Sequence, residues 1–315
     1  MPKVSIGLPV YNGENYLEDA IISVLKQSYT DLELVISDNA STDRTHEICR
    51  DYASTDQRVC YSRNKHNLGA APNYNKAWNQ CTGKYFKWLA HDDLILPEYV
   101  ATTVDALEKN PEAVLCNTTV EYIGSKGEHL GNYRSVMEFA NSDSPAERLA
   151  TMILHSHTCV DFFGMVLRET MEGSLLHQAF SGADKAFLAQ MALRGRLLQL
   201  DDPLVQMREH PDRYTRQTKT SQTKLAWHDT SLTEKRDIPV LNLYRTYRNL
   251  VETESLSEAE KQACFRVLRR FWFSGWNGGR LAADLLSIPF PQVINIAFNI
   301  KHKLFGSPGN FHREK

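Results

Sequence analysis

The sequence predicts a doubly wound α/β fold with a helical C-terminal extension, and three observations predict it. Short β-branched runs alternate with amphipathic helical runs through the first third of the chain. The unusual polar residues stand at the carboxyl ends of those runs, where open parallel sheets bind their ligands. Past about residue 216 the strand signals stop, and helical segments follow a polar linker.

Residues 4–10 form a β-branched run that ends at the turn signal Asn12-Gly13. Leu17, Ala20, Ile21, Val24 and Leu25 recur at helical spacing, which predicts an amphipathic helix over residues 15–27. Residues 32–36 read as a buried strand, and Ser41 or Asp43 can cap a helix running through Tyr52. A third strand is expected at residues 59–63, a loop at Asn67-Leu68-Gly69, a helix at 72–80 and a fourth strand at 85–89. Such alternation requires a parallel sheet, because each crossover helix returns the chain to the same end. Further on, helices are expected at residues 97–110, 146–154 and 183–193, and strands near 114–119 and at 160–167. Residues 124–144 read as a polar loop. Two more helices, at 241–251 and 257–273, are expected in the extension.

Hydrophobic residues make up 42% of the chain and charged residues 23%, a globular balance that excludes a disordered protein. The six cysteines are widely spaced and contain no Cys-x-x-Cys, which argues against a zinc ribbon and fits reduced thiols of the cytosol. No charged leader precedes an apolar segment, and no run of about 18 apolar residues occurs, so a cytoplasmic protein without a spanning helix is expected. The formal charge of −2 hides an asymmetry: residues 261–315 hold nine Lys or Arg against two acids, so the rest of the chain is acidic. A basic, aromatic-rich tail on an acidic body points to an anionic surface as partner, or to solvated terminal helices.

Strand one ends in Pro9-Val10-Tyr11-Asn12, strand two in Ser37-Asp38-Asn39 and strand four in His91-Asp92-Asp93. Adjacent carboxylates repel, so Asp92-Asp93 at a sheet edge calls for solvent or a hard divalent cation completed by diphosphate oxygens. The bland alternative is that one of them caps the helix beginning near Pro97. No G-x-G-x-x-G follows a strand and no G-x-x-x-x-G-K-[ST] occurs, which removes the dinucleotide dehydrogenase and P-loop readings. Gly69 and Gly83 read as backbone devices, and Lys84, Asn73 and Asn75 as residues near the ligand or on a solvated face.

In order along the chain, Val4 to Asn12, Leu17 to Tyr29, Glu33 to Asp43, Asn67-Leu68-Gly69, Gly83-Lys84-Tyr85 and Leu89 to Asp93 resemble the opening of family 2 glycosyltransferases. The resemblance covers about the first 110 residues and resumes at Gly182-Ala183-Asp184, Arg194-Gly195-Arg196 and Arg208-Glu209-His210. It implies the GT-A fold (a doubly wound, Rossmann-like mixed sheet), a nucleotide-diphospho-sugar donor, inversion at the anomeric carbon and a Mn²⁺ or Mg²⁺ cofactor. Residues 1–110 would be the nucleotide-sugar half, 111–215 the acceptor-side half, and 216–315 the helical extension. By the resemblance, Pro9, Tyr11, Asn12 and Asn67 line the nucleotide pocket, Asp38 and Asn39 read the base, Asp92 meets the ribose and Asp93 the metal. His210 lies near the diphosphate and can complete the metal sphere; alternatively, Arg208 can pair with the leaving diphosphate.

Asp184, at the start of a helix, stands where the family places its catalytic base; Asp161 and Glu209 are the substitutes, and a helix cap is the structural alternative. The chain departs from the family at Asn39, where a second acid is common, and at Ala90, where many members have an acid. An asparagine oxygen still accepts from the N3–H of uracil or thymine. His91 is expected to point away from Asp92 on an extended strand end.

In the tail, Phe271, Trp272, Phe273 and Trp276 lie among Arg266, Arg269 and Arg270, and Phe290, Val293, Ile294, Phe298 and Ile300 precede Lys301-His302-Lys303. This mixture suits either a peripheral membrane surface near a lipid-linked acceptor, or packing onto the domain or a second copy. The expected partners are thus a nucleotide sugar, a glycan or lipid-linked acceptor and an anionic membrane surface, with no nucleic acid. The setting expected is cell-surface polysaccharide synthesis. Two rivals remain: a sugar-nucleotide nucleotidyltransferase, whose Gly-rich, Arg-containing loop is replaced here by Tyr11-Asn12-Gly13-Glu14, and a non-catalytic scaffold of the same fold, motivated by Asn39 and Ala90.

Overall fold

The structure, a computed structural model, describes residues 2–213, 221–232, 238–274 and 276–286. The expected apolar segment at 290–300 and Lys301-His302-Lys303 lie outside the described residues. The N-terminal half alternates strand and helix: β1 (Val4–Val10), α1 (Leu17–Leu25), β2 (Leu32–Asp38), α2 (Thr45–Thr55), β3 (Val59–Arg63), α3 (Ala70–Gln80) and β4 (Tyr85–Trp88). The short β5 (Leu94–Ile95) and α4 (Tyr99–Lys109) follow, then the long β6 (Ala113–Ile123), β7 (His129–Tyr133) and α5 (Pro145–Leu154). After β8 (Met165–Leu167) and α6 (Arg168–Met171) come α7 (Ala183–Arg194) and β9 (Arg196–Arg208). The extension contributes α8 (Ser221–His228), α9 (Pro239–Thr253), α10 (Glu258–Phe271) and α11 (Asn277–Leu286).

The sheet runs in the order β3-β2-β1-β4-β8-β6-β9-β5, with β7 paired to β6. Strands β3, β2, β1 and β4 are parallel, β8 is antiparallel to both its neighbours, and β6 and β9 are parallel. The sheet is therefore mixed and places the ends of β1, β2 and β4 along one edge.

Alternation along the strands divides the interior in two. Val4, Ile6, Leu8 and Val10 of β1 face α1 and α4 with Tyr99, Val100 and Val104. From β4, Phe86 and Trp88 face the opposite side, where Trp88 stacks on Phe162 at 4.7 Å and meets Phe187 of α7. Lys87 between them is fully buried, donating to the Phe163 carbonyl and lying 4.7 Å from the Tyr99 ring centre.

The extension joins this second core. Tyr247, Leu250 and Val251 of α9 and Cys264, Leu268 and Phe271 of α10 pack with α5 and α7. Arg194 at the end of α7 makes a two-pronged ion pair with Glu254, 2.9 Å at both contacts, which gives the Arg194-Gly195-Arg196 motif a bracing role.

Two stretches differ from expectation. Residues 160–167 form a 3₁₀ turn over Cys159–Phe163 and only three strand residues, because Gly164 and the Asp161 carbonyl close the turn. The polar loop expected at 124–144 contains β7 and a 3₁₀ turn at Val136–Ala140. Among the described residues, no helix is long and apolar enough to cross a membrane. All six cysteines are free thiols.

Candidate active site

The ends of β1, β2 and β4, the start of α7 and the end of α8 enclose a cleft of about 850 Å³. Each wall is set by local chemistry. After β1 the chain turns through Asn12, whose φ is +52°, a conformation that asparagine tolerates. The turn is stapled to the loop after β2: Asn12 N–H donates to Ser41 Oγ at 2.9 Å, Thr42 N–H to Asn12 Oδ1 at 2.8 Å, and Gly13 N–H to Thr45 Oγ1 at 2.9 Å. Pro9, Tyr11 and Asn12 face the cleft from this turn.

Asn39 lines the adjoining wall with its amide fully engaged. Its Nδ2 donates to Asn67 Oδ1 (2.9 Å) and the Gly69 carbonyl (3.0 Å), and its Oδ1 accepts from Asn64 Nδ2 and Leu68 N–H, both at 2.9 Å. Asn39 and Asn67 thereby fix the loop before α3. Asp38 departs from expectation: it is fully buried beneath the wall and does not line the cleft. Its carboxylate accepts from Ser41 N–H and the Tyr61 hydroxyl, both at 2.8 Å, and pairs with Arg63 at 3.2 Å. Tyr61 and Arg63 come from β3, whose register sets Arg63 beside Asp38, so the acid braces the pocket from below.

The carboxylates after β4 sit in two different environments. Asp92 Oδ2 lies 2.9 Å from His210 Nε2. Asp93 Oδ1 accepts from the Arg208 backbone N–H at 2.9 Å. Burial and the neighbouring Asp92 charge push the Asp93 carboxyl up to about 7. Burial works the same way on Asp92, but the His210 hydrogen bond and the charges of His91 and Arg213 overcome it and hold that carboxyl low. One carboxylate is thus kept charged in contact with His210. His91 packs against Gly13 and also lines the cleft; contrary to expectation it stands not on an extended strand end but in a turn, closed by Asp93 N–H on the Ala90 carbonyl.

Arg208 also departs from expectation. Its guanidinium is buried on the Asp92 carbonyl, the Ser125 carbonyl and Asp19, and lies 4.6 Å from the Tyr16 ring centre. Arg213 takes its place on the cleft wall, donating to Glu209 Oε1 (2.7 Å) and the Arg208 carbonyl (3.1 Å). Of the substitute bases, Glu209 is held in that ion pair, and Asp161 is buried between Ser135 and Asn117.

On the opposite wall, Gly182 adopts φ +96° and starts α7 with no side-chain cap. Asp184 stands in the first turn, its Oδ1 accepting from the adjacent Lys185 N–H at 2.8 Å. Its carboxylate faces the cleft and meets the Cys159 thiol, which burial and that carboxylate push well up. An aromatic wall of Tyr74, Phe162 and His177 continues from there to Trp227 and His228 of α8. Burial, with repulsion from His228, drives His177 down to about 4, so its imidazole is neutral.

Residues 5–173, more than half of the chain, match the family model described as Glycosyl transferase family 2. The chain belongs to that family. It is 38% identical over 108 residues to an uncharacterized glycosyltransferase of Rickettsia typhi, covering 34% of this chain and 33% of that protein. It is 35% identical over 100 residues to glycosyltransferase GlyA of Streptococcus pneumoniae, covering 32% and 14%. The matched stretch is thus a third or less of these relatives' own length. Among solved structures, the fold is similar to Staphylococcus aureus TarS 1-349 in complex with UDP-GlcNAc, with a TM-score of 0.65, 20% identity, and 95% and 81% of the two chains covered. It is also similar to the mannosyltransferase PcManGT of Pyrobaculum calidifontis in complex with GDP-Man and Mn²⁺, with a TM-score of 0.57, 17% identity, and 97% and 81% covered. The fold of this family 2 member is GT-A.

The family 2 chain thus brings Pro9, Tyr11, Asn12, Asn39, Asn67, Asp92, Asp93, His210 and Asp184 to one cleft, and leaves Asp38 beneath it. Sequence reasoning missed Arg213, Cys159, His177 and the α8 pair Trp227-His228. Arg213 stands three residues past His210, and that proximity was its one signal. Among the described residues, no three His, Cys, Asp or Glu side chains gather into a ready metal cage. Asp92 with His210 nevertheless offers a hard carboxylate and an imidazole, a donor pair that suits Mn²⁺ and leaves positions for phosphate and water. The charge in the cleft agrees: Asp92, Asp93, Asp184 and Asp212 line it against the single guanidinium of Arg213 among the described residues, so a diphosphate would need a further cation.

Proposed function

We propose that this family 2 protein is an inverting glycosyltransferase that moves a sugar from a nucleotide-diphospho-sugar to a hydroxyl of a glycan or lipid-linked acceptor. One observation carries the reading: the Asp92–His210 pair and the Asp184 carboxylate line the same cleft. The nucleoside would lie against Pro9, Tyr11, Asn12, Asn39 and Asn67, with Asp92 and His210 holding Mn²⁺ or Mg²⁺ beside Asp93 at the diphosphate. That cation, when bound, offsets the charge developing on the leaving nucleoside diphosphate.

The residues' own work is then as follows. Asp184 takes the proton from the acceptor hydroxyl as its oxygen attacks the anomeric carbon, and the bond to the diphosphate oxygen breaks on the opposite face. Arg213 contributes fixed positive charge beside the departing phosphates. The neutral His177 and the aromatic wall exclude water around the acceptor. TarS in complex with UDP-GlcNAc and PcManGT in complex with GDP-Man and Mn²⁺ support the donor class and the metal by fold likeness. The setting we propose is cytoplasmic, in cell-surface polysaccharide synthesis.

The test is nucleoside-diphosphate release from a panel of nucleotide sugars, with Mn²⁺, with Mg²⁺ and with chelator. Release from one donor class that needs metal is the expected outcome. If no donor is turned over and none raises the melting temperature, the scaffold reading replaces this one.

A further inference from the structure

The aromatic cluster at the end of α10 splits into two sets. Phe271 and Trp272 turn inward: Trp272 meets the Tyr244 ring at 4.5 Å, and Phe271 packs edge-on to Tyr247 at 5.7 Å. Phe273 and Trp276, one and four residues past Trp272, turn outward and are 90% and 63% exposed. Leu285 and Leu286 at the end of α11 are exposed as well, at 45% and 53%.

This projecting corner is held in place by hydrogen bonds. Asn277 is buried and donates from Nδ2 to the Phe271 carbonyl at 2.9 Å, its N–H donates to the Ser274 carbonyl, and Gly278 N–H donates to the Trp272 carbonyl, both at 3.1 Å. Trp276 adopts φ +67°, which a bulky side chain rarely does, so the corner stores backbone strain while presenting a large ring to solvent. Arg266, Arg269 and Arg270 of α10 and Arg280 of α11, all exposed, flank these rings along the chain. The chain from 261 to its end carries seven more basic than acidic side chains.

We propose that the α10–α11 corner is a membrane-docking surface whose occupant is an anionic lipid bilayer. Phe273 and Trp276 enter the interfacial layer as wedges, with Leu285 and Leu286 exposed at the far end of α11, and the arginines meet the lipid phosphates. Charge complementarity selects this occupant, because an apolar corner flanked by arginines matches a surface that is apolar within and anionic at its rim. A second copy of this chain would bring its arginines against these. The inference is independent of the reaction assigned to the cleft.

The experiment is flotation of the full chain with phosphatidylcholine vesicles, with and without about a third phosphatidylglycerol, at low and high salt. The expected result is flotation with the anionic vesicles only, weakened by salt. Phe273→Ala/Trp276→Ala lowers the bound-to-free ratio by about tenfold or more, and Arg269→Glu/Arg270→Glu abolishes the preference for anionic lipid, both at unchanged melting temperature. Failure of the full chain to float at low salt overturns the proposal. So does flotation that neither variant alters. A dimer seen by light scattering that the aromatic variant dissolves would make the corner a self-association face and likewise overturn it.

Discussion

Gly69 is the seat on which residues 228–229 of the C-terminal extension rest beside the cleft, and Gly69→Ala is predicted to unseat them. Gly69 has φ +92° and ψ 170°, a region open essentially only to glycine. A Cβ there would sit 2.6 Å from Asp229 Cα and 2.7 Å from the His228 carbonyl oxygen, both backbone atoms that cannot rotate away. The strained backbone costs about 1–3 kcal/mol. Relief by moving residues 225–232 forfeits the bonds from Thr230 N–H to the Leu68 carbonyl and from Thr230 Oγ1 to the Asn67 carbonyl, at about 0.5–1.5 kcal/mol each. It also re-exposes Leu225, now buried, for about 1.5–3 kcal/mol more. Moving the strap relieves the clash but not the strain, so the strap loses the two hydrogen bonds and the burial together, at least about 2.5 kcal/mol, concentrated there rather than spread over the sheet. Hydrogen exchange by mass spectrometry reads this directly: peptides covering 225–232 exchange faster by two orders of magnitude or so, while β1 and β4 keep their protection. Unchanged exchange in those peptides, at an unchanged melting temperature, refutes the reasoning.

Further predictions concern the cleft itself. Asp184→Asn removes the proposed base while keeping its size, so turnover should fall about 10²–10⁴-fold with donor affinity nearly unchanged, as measured by kcat and by titration calorimetry; equal losses in both would make Asp184 a binding residue. Arg213→Gln removes the guanidinium lining the cleft and its ion pair with Glu209, so donor kcat/KM should fall about tenfold to a hundredfold, and wild-type kinetics would exclude Arg213 from the diphosphate site. His177 titrates near 4 in the folded chain against an unfolded value of about 6.5, so the unfolded chain takes up the proton first. The stability due to its neutral form is full above about pH 6.5 and drains as pH falls toward 4, by about 2 kcal/mol between pH 7 and 5. Denaturant midpoints at the two pH values should therefore converge in His177→Gln, and an identical pH slope in the variant would contradict the assignment.

The N-terminal half was legible in the sequence because its strands are buried on both faces and read as unbroken apolar runs. Val4–Val10 and Leu32–Asp38 are of this kind, with helices between them that carry clear periodicity. The stretch from 111 to 215 was less so, for physical reasons. Strand β9 carries Asp201, Asp202 and Pro203 at its centre, exposed where the pairing with β6 shifts register between Thr118 and Val120, so the apolar pattern breaks in mid-strand. Strand β7 is an edge strand with no buried residue, which leaves no alternation to read. At the site, residue type located the cleft but not the duty of each group. Asp38 looks like a base reader until β3 supplies Tyr61 and Arg63 to its carboxylate, and Arg208 looks like a phosphate ligand until its guanidinium meets the Asp92 carbonyl. Both contacts cross elements, and no local pattern announces them. Trp227-His228 was missed because a helix of eight residues carries little periodicity, and its role comes from lying on Gly69.

The most direct measurement is a crystal structure with Mn²⁺ and a nucleoside diphosphate, phased to reveal the metal by its anomalous signal. The account predicts one manganese peak at the Asp92–Asp93–His210 corner, the base against Tyr11 and Asn39, and the Asp184 carboxylate facing the terminal phosphate across open space. A manganese bound elsewhere, or a nucleotide lying outside the cleft, contradicts it.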